Sequence, residues 1–236
     1  MILYTEVIGE GEPIVFLHTG LQTGTTDFEQ QVEHFKQHYK VILPDLRGHG
    51  KSVSNDLANY FQDTAQDLAD TLDHLGIDSV HVVGCSLGGI VSIFLAKKFQ
   101  DKVKSLTISG VTSEKPEKWD EMHAADVEHQ TQLLQNKEAI ALFDSMHEGD
   151  WRQFIYMARD ASWYPFNDTK DIDTLTMPVL FMVDEKQQDE VKTATIYPET
   201  NQHVHVSVIP FAGHLVHAEQ PEIYTSILER FLGRLQ

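Results

Sequence analysis

Val82-Val83-Gly84-Cys85-Ser86-Leu87-Gly88-Gly89 runs an apolar stretch straight into a serine flanked by glycines. Ser79 to Gly84 reads as a buried strand. Leu87, Ile90, Val91, Phe94 and Leu95 then repeat at helical spacing, so the serine falls at a strand-to-helix junction. Gly-x-Ser-x-Gly in that setting predicts a sharp, strained turn. Bulky neighbours would collide with the adjoining strand and helix, and the hydroxyl is lifted above the sheet edge. An isolated hydroxyl is a weak nucleophile near neutral pH. Ser86 therefore needs a histidine base, and that base needs an orienting acid. Cys85 stands at the variable position of the motif and is expected to be a buried structural thiol.

The same reading extends outward on both sides. Ile2 to Val7 suggests an edge strand. Ile14 to Leu17 suggests a buried strand ending in the loop His18-Thr19-Gly20-Leu21. Phe28, Val32, Phe35 and Tyr39 mark a helix face, and Val41 to Leu43 a strand that runs into Asp45-Leu46-Arg47-Gly48-His49-Gly50. Phe61, Ala65, Leu68, Leu72 and Leu75 give a helix stopped at Gly76, and Val103 to Ile108 another strand. Strands alternating with amphipathic helices predict a mostly parallel sheet covered by helices on both faces. From residue 112 to 173 no strand-like run appears, and helical stretches rich in Trp, Met, His and Phe suggest an inserted lid. Residues 1–111 and 174–236 are then the core, closed by strands at Pro178 to Val183 and Val204 to Ile209 and a helix carrying Ile223, Ile227, Leu228 and Phe231.

The 236 residues, 41% hydrophobic, are enough for one sizeable core. Eighteen basic residues against 36 acidic ones give a formal charge of −18, which opposes binding to nucleic acid or to an anionic membrane surface. One cysteine excludes an intramolecular disulfide, and no run reaches the ~18 apolar residues of a membrane span. Met1 to Ile8 has no basic region followed by a long apolar run, so a cytoplasmic location is the expectation.

Thirteen histidines compete for the role of base, and position decides among them. His214 follows the last strand in Pro210-Phe211-Ala212-Gly213-His214. That loop is at the same carboxyl end of the sheet as Ser86, where sites form in open parallel sheets. His217 begins the helix beyond it. His34 with His38 and His203 with His205 have no third ligand nearby in sequence, so no metal site is expected.

Gly84-Cys85-Ser86-Leu87-Gly88, Asp45-Leu46-Arg47-Gly48-His49-Gly50 and Gly213-His214, in this order, make the chain resemble the α/β-hydrolases. The likeness is to the small lidded serine esterases, haloperoxidase-like proteins and C–C hydrolases of that superfamily. It implies that Ser86 is the nucleophile and His214 the base, with no cofactor. It also implies an oxyanion hole built from the N–H of Leu87 and that of Gly20 or Leu21. The family's acid usually ends the penultimate strand in Gly-x-x-Asp. Here the corresponding residues are Asp184-Glu185-Lys186-Gln187, with a neutral glutamine in the expected place. Asp189, two residues on, is the favoured acid, with Asp184, Glu185 and Glu114 as alternatives.

Such a set would transfer an acyl group from a small, mostly apolar carboxylic ester to Ser86 and then to water. Lid residues such as Trp119, Trp151 and Trp163 either face the cleft or pack the lid. The other readings are a C–C bond hydrolase or lyase, resembling the menaquinone-pathway cyclohexadiene-carboxylate synthase, and a non-hydrolytic ligand-binding or signalling protein. The lyase would require cationic groups over Ser86, for which Arg152 and Arg159 are the candidates.

Overall fold

The computed structural model describes residues 1–235. Seven strands form one sheet: β1 (Thr5–Ile8), β2 (Glu12–Leu17), β3 (Tyr39–Pro44), β4 (Val80–Cys85), β5 (Val103–Ser109), β6 (Val179–Asp184) and β7 (Val204–Ile209). Their order across the sheet is β1-β3-β2-β4-β5-β6-β7. Only β1 is antiparallel, pairing Thr5 with Pro44 at the edge; every other pair is parallel.

All six residues of β4 are buried, because helices cover both faces of a parallel sheet and leave its central strand no solvent side. Alternation sorts neighbouring side chains between the two faces. Val15 and Leu17 of β2 join the core under α2 (Tyr60–His74) and α3 (Leu87–Lys98). Ile14 and Phe16 join the other, with α1 (Glu29–Phe35) and the closing helix. Four helices intervene between β5 and β6: α4 (Trp119–Leu133), α5 (Lys137–Met146), α6 (Arg152–Ala158) and α7 (Phe166–Lys170). The chain then forms α8 (Gln188–Thr200) between the last two strands and ends in α9 (Val216–Glu219) and α10 (Pro221–Leu232). Among the described residues, no helix is long and apolar enough to cross a membrane.

Helix α8 changes the expectation for the acid. The segment after β6 is not an extended loop. It turns for three residues and enters a helix at Gln188, so side-chain directions there rotate by ~100° per residue.

Candidate active site

Ser86 sits between β4 and α3 with φ 52° and ψ −115°, a backbone region that costs a non-glycine residue on the order of 1–3 kcal/mol. The surrounding packing holds it there. Its N–H donates to the Ser109 carbonyl at 2.9 Å. A Cβ on Gly84 would lie 2.3 Å from the Gly88 carbonyl oxygen, and one on Gly88 would lie 2.0 Å from that of Leu17. The first turn of α3 is thus pressed against the end of β2. Cys85 is fully buried, burial pushes its thiol pKa far up, and Sγ sits 3.9 Å from the His214 carbonyl oxygen.

The loop after β7 brings His214 onto the serine, with Nε2 2.9 Å from Ser86 Oγ. On the far side of the ring, Nδ1 lies 2.7 Å from Glu190 Oε1. The arrangement is continuous. Nδ1–H donates to the carboxylate, which leaves Nε2 to accept from the serine hydroxyl. Burial lowers the His214 pKa, but the hydrogen bond and charge of Glu190 outweigh it and the net shift is upward. Glu190, buried in the first turn of α8, has a raised pKa because desolvation exceeds the stabilisation by His214. The His214 side chain keeps 42% of its surface exposed, so the site opens to solvent beside the imidazole.

Asp189 is therefore not the carboxylate that meets His214. One helical step turns its side chain away from the stripe that faces the core. That stripe carries Glu190, Thr193, Ala194 and Tyr197, all buried. The Asp189 carbonyl instead accepts from Thr193 Oγ1 at 2.9 Å. Sequence reasoning missed Glu190; its spacing of i, i+3, i+4 and i+7 with Thr193, Ala194 and Tyr197 is the signal that could have found it. The other carboxylates are also occupied elsewhere. Asp184 Oδ1 accepts the N–H groups of Lys186 and Gln187 at 2.6 and 2.7 Å, Glu185 accepts the N–H of Phe211 at 2.9 Å, and Glu114 pairs with Lys192 at 2.8 Å.

Both candidate oxyanion donors of the β2 loop lie in one turn, Thr19–Gln22, closed by Gln22 N–H to the Thr19 carbonyl at 3.2 Å. Leu21 is left-handed at φ 63°. The Leu87 N–H, the first of α3, lies at the helix end where no intrahelical acceptor exists. His18 fixes the turn from below. Its Nε2 accepts the Leu46 N–H at 2.9 Å, so the proton is on Nδ1, which donates to the Thr19 carbonyl at 2.8 Å. Thr19 N–H in turn donates to Asp27 Oδ2 at 2.8 Å, and Asp27 Oδ1 pairs with His217 Nε2 at 2.6 Å. The Asp27–His217 pair, buried against Phe28, was not legible from sequence because its members are 190 positions apart.

Packing accounts for much of the α4–α7 insertion. Trp119 and Trp151 are buried, their indole N–H groups donating to the Ala161 carbonyl at 3.0 Å and to Asp144 at 2.8 Å. Arg152 pairs with Asp144 at 2.9 Å and lies over the Trp151 ring, and Arg159 donates to Gln130 and Thr131. Neither arginine is brought to Ser86. Phe154 of α6 also reaches this loop, its ring edge 3.2 Å from where a Gly20 Cβ would be. His34, one of the paired histidines, bonds Glu229 at 2.9 Å.

Residues 12–139 match a family model described as alpha/beta hydrolase fold. RutD of Azorhizobium caulinodans is 36% identical over 106 residues, 45% of this chain and 40% of that protein. The esterase YbfF of Escherichia coli is 28% identical over 246 aligned positions, covering 94% of this chain and 93% of YbfF. Several other curated relatives, like RutD, are spanned over only about two fifths of their length. Among solved structures, NosK from Streptomyces actuosus superposes with a TM-score of 0.82 at 24% identity, over 96% of this chain and 99% of NosK. That likeness concerns the fold.

Proposed function

Because this chain belongs to the alpha/beta hydrolase fold family, we propose that it is a serine hydrolase cleaving a small, mostly apolar carboxylic ester through an acyl-enzyme intermediate. One observation carries the reading: the unbroken relay from Ser86 Oγ through the His214 ring to Glu190, at 2.9 and 2.7 Å. Ser86 Oγ attacks the acyl carbon while His214 Nε2 takes its proton. The imidazolium formed is stabilised by Glu190. The carbonyl oxygen, now negative, is held by the N–H of Leu87 and by that of Gly20 or Leu21, a kind of contact whose loss costs on the order of a hundredfold or more in rate. His214 then protonates the departing alcohol. Water repeats the sequence on the acyl-enzyme, giving up a proton to Nε2 and releasing the acid as Ser86 regains its hydrogen.

A neutral substrate fits the charge better than an anionic one, since the chain carries −18 and both lid arginines are engaged by other side chains. Phe154 beside Gly20 supplies apolar surface to the acyl or alcohol part. The test is a set of p-nitrophenyl esters of graded acyl length combined with fluorophosphonate labelling. Wild type and Cys85→Ala should turn over the shorter esters and take the label, and Ser86→Ala should do neither. Full activity in Ser86→Ala would overturn the mechanism.

A further inference from the structure

The two edges of the sheet are built differently. At one end β1 is four residues long and carries Glu6, with Glu10 and Glu12 close behind it, a short charged edge that discourages further pairing. At the other end β7 runs for six residues as Val204-His205-Val206-Ser207-Val208-Ile209, and among the described residues no further strand pairs with it. No Asp, Glu, Lys or Arg occurs from residue 201 to 218, in a chain that holds 36 acidic residues.

The Val179 N–H donates to the His203 carbonyl at 2.9 Å, so the backbone groups of His203, His205 and Ser207 turn toward β6. Alternation then turns the N–H and C=O of Val206 and Val208, and the C=O of Val204, to the open edge. The Val204 N–H is taken by the Asn201 carbonyl at 3.2 Å. Side chains sort in the same way. Val204, Val206 and Val208 share the face that α8 covers, and Val206 and Val208 emerge from it 36% and 50% exposed. His205 and Ser207 share the other face, where the His205 ring lies 6.0 Å from that of Phe231 of α10.

This edge is complementary to itself. Turned about a two-fold axis through Val206, an antiparallel second copy sets Val206 against Val206 and Val204 against Val208. Valines then face valines in one row on the α8 side, and His205 faces Ser207 on the α10 side, an imidazole nitrogen opposite a hydroxyl. The Val206 pair exchanges two hydrogen bonds, and the Val208 N–H of each copy reaches the Val204 carbonyl of the other. The same register carries Phe211, 76% exposed at φ 60°, to the level of Asn201 in the second copy. A foreign strand would need no such symmetry. Between two copies that each carry −18, an uncharged edge is also where close approach meets least repulsion.

We propose that β7 is a dimerisation edge whose partner is a second copy of this chain, joined antiparallel about Val206 so that the two sheets become one. The contact lies outside the Ser86, His214 and Glu190 relay and stands whether or not the chain is a hydrolase.

A pairing of this size is reversible, so sedimentation velocity over about 1 to 200 μM should show monomer giving way to dimer. Val206→Lys sets two like charges face to face on the axis and should weaken association roughly tenfold or more, with an unchanged circular dichroism spectrum. Cysteines locate the axis. Residues directly opposite on antiparallel strands stand ~5.5 Å apart at Cα, within reach of a disulfide, whereas Val208 and its own copy are offset by four residues, ~13 Å along the strands. The native Cys85 is buried and does not compete. Under mild oxidation Val206→Cys should therefore form a covalent dimer, and Val208→Cys, although at the more exposed position, should not. A chain that stays monomeric up to about 200 μM, a dimer indifferent to Val206→Lys, failure of Val206→Cys to cross-link, or equal cross-linking of Val208→Cys would each overturn the proposal. The disulfide comparison introduces no charge, so it decides the question if Val206→Lys does not fold.

Discussion

Glu190 Oε1 stands 2.7 Å from His214 Nδ1, while its neighbour Asp189, one residue earlier in the same helix, is placed elsewhere, its backbone carbonyl accepting from the hydroxyls of Thr193 and Thr112. The two carboxylates are thereby separated in their expected effects. Glu190→Gln retains size but removes the charge that stabilises an imidazolium, so kcat/KM on a p-nitrophenyl ester should fall about 10³- to 10⁴-fold with the fold intact by circular dichroism. Asp189→Asn should stay within about threefold, as expected of a side chain outside the relay. The reverse ranking would remove Glu190 from the mechanism.

The same contact sets the pH dependence. In the proposed mechanism His214 serves as base only when neutral, and burial alone would lower its pKa; Glu190 outweighs this and raises it. The acid limb of kcat/KM in wild type should therefore lie above the ~6.5 of an unperturbed histidine. Without the Glu190 charge, desolvation is opposed only by the lesser charge effects of Asp184 and Asp126. The limb in Glu190→Gln should move to lower pH even as the plateau falls, and a limb that stays put would show that another group controls it.

Much of this architecture is legible in the chain because local rules and global fold agree. The elbow could be read from Gly84, Ser86 and Gly88 since close backbone approach leaves no room for a Cβ there, and His214 from its place after the last strand. The acid was harder. Gln187 draws attention to a loop, but Gln188 already begins a helix, where a displacement of one residue changes which side chain faces the core. Only the stripe Glu190, Thr193, Ala194 and Tyr197 carries that information. Contacts such as Asp27 with His217, or His147 with Leu21, join segments more than a hundred residues apart and leave no periodic trace.

Asp27 links stability to pH. Burial would raise its pKa, but the hydrogen bond and charge of His217, with the Thr19 N–H, win and depress it to about 2. A carboxylate held below its unfolded value of ~3.8 contributes stability that is fully present above that pH and is lost as pH falls toward 2. The shift corresponds to on the order of 2 kcal/mol. Asp27→Asn keeps an acceptor for Thr19 N–H while removing the charge. Its unfolding free energy by urea titration should be lower than wild type by about that amount at pH 7, with the gap closing between about pH 4 and 2. A gap independent of pH would mean that shape, and not charge, is what Asp27 supplies.

Gly88 sets helix propensity against packing. It lies in the first turn of α3, where alanine in place of glycine would ordinarily stabilise by up to ~1 kcal/mol. The added Cβ, however, would stand 2.0 Å from the Leu17 carbonyl oxygen and 2.8 Å from that of His18, both backbone atoms of a central strand end that cannot rotate away. Close contact should prevail over propensity. Gly88→Ala is expected to lose about 3 kcal/mol or more in a denaturant melt, since relief requires α3 to lift away from β2. The same displacement would carry the Leu87 N–H away from the Thr19–Gln22 turn. Activity should therefore fall further than the folded fraction does, measured as kcat/KM per folded molecule at low temperature. A melt equal to or above wild type would show that the helix end is not pinned against β2, and the geometry proposed for the oxyanion donors would lose its support.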